Sequence, residues 1–329
     1  MKKPGCFGVL LFFALCLSML ANMVLLGLLS ARASKGFVHK PKTGSLEEVE
    51  LVAGGKDKIA VVPLEGIIAY AVKGPGGNSM VEEFKDALDQ ALADDSVAAI
   101  VISVDSPGGE ITASDVLYNA VRMAREEKPV VVFMNSIGAS GAYYAACGAN
   151  YIMCNPTTFT GSIGVIISTL NYQNLFGKIG LQSLVFKSGK FKDMLNGARE
   201  ISPEESAYVQ GLVMQSYERF LGIVCQNRKL DTEQLRNGVA DGRIMSGIDA
   251  KEAGLVDELG YIEDAYSKAM ELGKVENATV VRYEPRFNFS RFFRLFGESK
   301  ANGVRLQLLP EKLGIEPGRL YLLPITYFY

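Results

Sequence analysis

In Gly138-Ala139-Ser140-Gly141 a serine stands among small residues, where no neighbouring side chain screens its hydroxyl and the next N–H can face a developing oxyanion. The string is a loose variant of the G-x-S-x-G nucleophile elbow, and an ordinary serine N-cap at a helix start explains it equally well. A serine hydroxyl needs a base at neutral pH. The only histidine of the 329 residues, His39, stands far along the chain from every glycine-rich motif, which leaves carboxylates and lysines. A lysine can act as the base where burial destabilises its charged form. Lys187-Ser188-Gly189-Lys190-Phe191-Lys192-Asp193 offers three, each of which also reads as a solvated surface charge, and position alone does not select among them. A second glycine motif, Asp105-Ser106-Pro107-Gly108-Gly109, follows an apolar run. Its glycines permit a sharp turn that presents an N–H as one donor of an oxyanion hole, although a plain tight turn fits as well.

The elements that must position these residues can be read from hydrophobic periodicity. Ile59 to Tyr70 reads as a strand or hairpin and Val81 to Ala93 as a helix. Val97 to Val104 and Pro129 to Met134 are apolar runs of buried-strand length, separated by a helical pattern over Thr112 to Glu126. A helix is expected to begin near Ser140, followed by strands over Tyr151 to Cys154 and Ser162 to Ser168. Ser202-Pro203-Glu204-Glu205 combines an N-cap serine, a proline at the first helical position and a capping-box glutamate, so a helix is predicted from Pro203 to about Asn227. Helices over Ile248 to Ala253 and Ile262 to Leu272 and a strand over Thr279 to Tyr283 complete an α/β pattern with a largely parallel sheet. Both glycine motifs then fall at strand ends, where open α/β folds bind ligands.

Composition narrows the partners. With Lys+Arg 34 against Asp+Glu 36, there is no basic field to hold nucleic acid phosphates. Cys147, Cys154 and Cys225 show no C-x-x-C spacing and read as small buried hydrophobes, and neither a metal nor a cofactor is expected. The uncharged run from Cys6 to Ser30 is long enough to cross a hydrocarbon layer about 30 Å thick, longer than a removable signal segment requires. The expected layout is a short tail over residues 1–5, a membrane anchor over 6–30, a linker over 31–56, a catalytic domain over 57–285, and a C-terminal segment over 286–329 that docks on the assembly.

Taken together, Ser106 to Gly109, Gly138 to Gly141, Thr160-Gly161-Ser162-Ile163-Gly164 and Ser188 to Lys192 resemble, in order, the blocks of the signal peptide peptidase A (SppA) type of bacterial serine protease in its short, single-repeat form. The resemblance implies a Clp protease/crotonase-like fold of stacked β-β-α units behind one N-terminal transmembrane helix. It implies a Ser-Lys dyad, with Ser140 as nucleophile, Lys192 as general base and Ser162 holding the lysine amine. The N–H groups of Gly109 and Gly141 become the oxyanion hole, with Gly108 as the alternative to Gly109. It further implies a homo-oligomeric ring that shares the site between subunits, an extracytoplasmic catalytic domain on the bacterial cell membrane, and hydrophobic peptide substrates such as signal peptide remnants. The other readings are a stomatin-operon-type membrane protease, a crotonase-type thioester enzyme, and an inactive membrane scaffold.

Overall fold

The computed structural model describes residues 18–19, 46–70, 79–285 and 321–322. The chain divides into two units, residues 1–42 and 43–329. Of the first, Ser18 and Met19 are described, and both are helical and exposed. The rest of the predicted Cys6 to Ser30 span and His39 lie outside the described residues, among which no helix is long and apolar enough to cross a membrane.

The second unit is built on a parallel sheet. Its central strands are β2 (Asp57–Ile68), β3 (Val97–Glu110), β4 (Val130–Ala139) and β5 (Tyr151–Cys154). Between them run α1 (Met80–Ala93) and α2 (Ile111–Glu127), and α3 (Gly141–Ala146) follows β4. Apolar residues fill both faces of these strands. Ile59, Val61, Ala99, Val101, Val131 and Phe133 face one layer, and the intervening Ala60, Val62, Ile100, Ile102, Val130 and Val132 face the other. This continuity makes the strands legible as buried parallel strands. The first face packs on Ala265 and Ala269 of α8 (Ile262–Gly273), and the second on the helices between the strands. Each fully buried Ile or Val contributes roughly 1.5–3 kcal/mol.

Further elements extend the sheet among the described residues. They are β1 (Leu46–Val52), β6 (Phe159–Gly161), β7 (Ile244–Ser246), β8 (Glu258–Leu259), β9 (Ala278–Pro285) and β10 (Tyr321–Leu322). The strand order is β1-β9-β2-β3-β4-β5-β8, with β6 on β4, β7 on β6 and β10 on β3. Pairing is antiparallel at β1–β9, β6–β7 and β10–β3 and parallel elsewhere. The remaining helices are α4 (Gln173–Lys178), α5 (Pro203–Arg228), α6 (Thr232–Asn237) and α7 (Gly247–Glu252). The expected capping box of α5 is present, with Ser202 and Glu205 satisfying each other's backbone N–H.

Of the strand and hairpin alternatives for Ile59 to Tyr70, the strand is the one present: β2 runs alongside β3, with register shifts at Lys58/Ile59 and Glu65/Ile67. Three other expectations need correction. Residues 46–52, expected in the linker, form β1, paired with β9 some 230 positions downstream in sequence, a partner no local pattern announces. The strand expected over Ser162 to Ser168 lies instead at Phe159–Gly161, because φ of Gly161 and Ser162 turns positive (73° and 50°) and ends the extended run. Finally, Ser106-Pro107-Gly108-Gly109 is no free turn. β3 continues through it to Glu110, with a register shift against β2 between Glu65 and Ile67 and Gly108 at φ 99°.

Candidate active site

The parallel strands β3, β4 and β6 converge at their C-terminal ends. Ala139 of β4 pairs with Gly161 of β6, so Ser140 and Ser162 each stand one residue beyond paired neighbours. The Ser140 N–H donates to the Gly161 carbonyl at 2.9 Å, fixing the two strand ends together, and the Ser162 N–H donates to the Arg243 carbonyl at 2.8 Å. Both serines are buried, 1% and 4% exposed, and both have positive φ without being glycine.

Ser140 is not an ordinary N-cap. Its φ of 54° and ψ of −115° lie outside the extended region that cap residues adopt, and its side chain makes no cap hydrogen bond to α3. Its hydroxyl is buried with no hydrogen-bond partner. An orphaned buried hydroxyl costs about 1–3 kcal/mol, and such backbone strain costs a similar amount. The two penalties on one residue mark a group held ready for a partner that the folded chain does not supply.

The two glycines expected to donate to an oxyanion lie side by side. A Cβ placed on Gly141 would stand 3.1 Å from the Gly109 nitrogen and 2.3 Å from Ser114 Oγ. A Cβ on Gly109 would meet the Ile68 carbonyl oxygen at 1.9 Å, because β2 passes directly over it. The Gly108 N–H donates to Ser106 Oγ at 3.1 Å, so Gly108 is occupied within its own motif. Ser114, a buried residue of α2, forms the floor beneath Gly141 and donates to the Glu110 carbonyl at 2.9 Å. Nothing in the sequence singles out Ser114, which reads as a routine helix residue.

Gly141→Ala should therefore lower kcat by about a hundredfold, the typical effect of losing one oxyanion donor. The added methyl drives the start of α3 away from Gly109. Ser114→Ala combined with it removes the nearest clashing atom and should return part of the loss, measured as kcat on a peptide substrate.

Lys192 stands apart from this cluster. It is exposed, in a run of turns over residues 188–199 that contains no helix or strand. Among the described residues its Nζ makes no hydrogen bond or ion pair, so it reaches neither serine within one chain. The segment that leads to it is apolar but uncovered: Leu170 and Ile179 are each 60% exposed, Leu184 74% and Phe186 96%. A cavity of about 340 Å³ nearby is lined largely by apolar groups, including Val165, Ile166, Leu195, Ile201, Val209 and Val213, and begins three residues past Ser162.

Tyr321 and Leu322 of β10 pair antiparallel with Glu110 and Gly109, placing an extended backbone beside one expected oxyanion donor. The rest of the segment over 286–329 beyond β10 lies outside the described residues. Of the cysteines, Cys147 and Cys154 are buried free thiols, pushed up to about 12 by that burial. Cys225 is half-buried, so the expectation of burial holds for two of the three. Among the described residues no group of His, Cys, Asp or Glu is arranged to hold a metal ion.

Comparison with known proteins fits this arrangement. Residues 122–276 match peptidase family S49, a span that includes Ser140, Ser162 and Lys192. A Methanocaldococcus jannaschii protein named "Putative protease" is 38% identical over 243 residues, 72% of this chain and 77% of that one. A Synechocystis protein, likewise named "Putative protease", is 35% identical over 79% of this chain and 89% of its own length. An Enterococcus faecium protein named "Putative signal peptide peptidase SppA" is 37% identical over 62% of this chain and 59% of its own.

Proposed function

Because this chain belongs to peptidase family S49 and is a serine protease, we propose that Ser140 is its nucleophile, Lys192 its base, and hydrophobic peptides such as signal peptide remnants its substrates. The observation that carries the reading is the strained, buried and unpartnered hydroxyl of Ser140. In the reaction, the neutral Lys192 amine takes the Ser140 proton as Oγ attacks the scissile carbonyl. The N–H groups of Gly109 and Gly141 hold the resulting oxyanion, and the ammonium returns its proton to the leaving amine. Water then attacks the acyl-enzyme by the same route. Ser162 accepts a hydrogen bond from the lysine amine and orients it, as the aspartate of a triad orients histidine.

Several features support the surroundings of this reaction. The antiparallel pairing of β10 with Gly109 and Glu110 supports a peptide backbone lying beside β3, since extended chain already fits there. The apolar cavity past Ser162 suits hydrophobic side chains, and the Enterococcus relative carries the name of a signal peptide peptidase. The sheet order is compatible with the Clp protease/crotonase-like group of β-β-α folds. The exposed apolar residues between Leu170 and Phe186 suit a subunit interface, so the functional form is a homo-oligomeric ring in which Lys192 completes the site of a neighbouring chain. Residues 6–30 anchor the chain in the bacterial cell membrane with the catalytic domain on the extracytoplasmic side, near exported substrates.

A serine-directed fluorophosphonate tests the reading. Label is expected on Ser140 of the full chain, with none on Ser140→Ala, and undiminished label on that variant would refute it. Hydrolysis should also weaken as pH falls below neutral, because protonation of Lys192 removes the base; an acid optimum contradicts the scheme.

A further inference from the structure

The turns that carry Lys192 have no sheet or helix to hold them, yet a base must be placed to within a fraction of an ångström. What holds them is an ion cluster centred on the adjacent residue. Arg199 Nε donates to Asp193 Oδ2 at 2.8 Å, and its Nη2 donates to Asp193 Oδ1 at 2.9 Å and to the Asp193 carbonyl at 3.1 Å. The same guanidinium donates from Nη1 to Glu205 Oε2 at 2.7 Å. Glu205 is 3% exposed and belongs to the capping box of α5, so the fork ties the turns to the start of a 26-residue helix. Lys187 Nζ takes the remaining side of Asp193 Oδ1 at 2.6 Å.

Of the other charges nearby, the exposed Glu200 offers only its carbonyl to Arg199, and one further pair is formed. Lys190 pairs with Glu204, and Tyr208 of α5 stacks on Phe191. Three carboxylates, Asp193, Glu204 and Glu205, are thus engaged by Lys187, Lys190 and Arg199. Lys192 is left as the one cation of this group without a counter-ion. A carboxylate released beside an amine stabilises its protonated form, the wrong form for a base.

We propose that Arg199 is a positioning residue for catalysis, clamping Asp193 to Glu205 so that the turn holding Lys192 is fixed and its nearest carboxylate cannot pair with the base. The inference rests on Lys192 being the base. Arg199 beside Asp193 holds that carboxyl well below the usual carboxylate range, and the same guanidinium holds Glu205 at about 2. The clamp therefore stays charged throughout the working range. Its contribution is complete above the ordinary carboxylate pKa and is lost only as pH falls towards 2.

The test uses the full chain and pH profiles of kcat/KM. Arg199→Gln should lower kcat about tenfold or more with KM nearly unchanged. Its acid limb should move up by about one pH unit, as Asp193 turns to Lys192. Adding Asp193→Asn should bring the limb back to the wild-type position, which a purely structural role for Arg199 does not predict. A wild-type limb in Arg199→Gln, or a double variant with a limb no lower, overturns the proposal. If Arg199→Gln folds poorly, Asp193→Asn alone decides, because the clamp requires its acid limb at or below the wild-type position and an upward move overturns it. Lys192→Ala separates the two levels. Full activity there refutes the base assignment itself, whereas an inactive Lys192→Ala beside a wild-type limb in Arg199→Gln refutes only the clamp.

Discussion

Ser140→Gly is expected to abolish peptide hydrolysis, by about 10⁴-fold or more, and to raise rather than lower thermal stability. The loss follows from removal of the proposed nucleophile. The gain follows from the two penalties on the native residue. Glycine adopts φ of 54° without the Cβ clash that serine suffers, and it brings no hydroxyl into a site that is 1% exposed and offers no partner. The loosened unfolded chain offsets part of this, so a net gain of about 1 kcal/mol, or a Tm higher by about 2–4 °C, is the expected size. Ser140→Ala separates the contributions, since alanine removes the orphaned hydroxyl but keeps the strained Cβ. Its Tm should fall between those of wild type and Ser140→Gly. If both variants were clearly less stable than wild type, Ser140 would be a structural residue.

Mixing inactive chains should produce an active enzyme. Ser140→Ala and Lys192→Ala are each expected to be inactive alone, by about 10³-fold or more, because each lacks one half of the proposed dyad. The fold gives the reason to expect rescue. Within one chain Ser140 is buried at the ends of β4 and β6, while Lys192 is exposed and its Nζ makes no hydrogen bond or ion pair among the described residues. The proposed base role calls for burial around the lysine, and the uncovered apolar run ending at Phe186 offers a surface on which a second copy would supply it. Co-assembled variants place an intact serine beside an intact lysine at some interfaces. Recovered hydrolysis supports a shared site. Its absence, once co-assembly is shown by cross-linking, assigns both residues to a single chain.

Much of this was legible in sequence because the informative features were local. Apolar runs marked β3, β4 and β5, and Ser202-Pro203-Glu204-Glu205 marked the start of α5, because each signal spans only a few residues. The glycine motifs pointed to backbone donors for the same reason. The failures were non-local. β1 depends on β9, which lies more than two hundred positions away, and Ser114 matters only because α2 carries it beneath Gly141. The ion cluster proposed to clamp Lys192 joins residues 193 and 199, which lie in turns, to residue 205 at a helix start, so no single secondary-structure period links them. The Ser-Pro-Gly-Gly string misled in a different way. Its composition is that of a turn, yet its residues pair with β2, β4 and β10 and carry β3 on to Glu110, with the positive φ of Gly108 falling at the register shift.

If a substrate pairs with Gly109 and Glu110 as β10 does, that stretch limits what kind of molecule the proposed site can take. Ladder pairing of the sort seen with Tyr321 and Leu322 uses main-chain groups common to every peptide, so it discriminates by shape rather than by side-chain identity. A helix, or a strand paired on both sides within its own sheet, has no free main-chain groups to offer. On the proposed reading, substrates are therefore expected among chains that have already lost, or never acquired, a folded form.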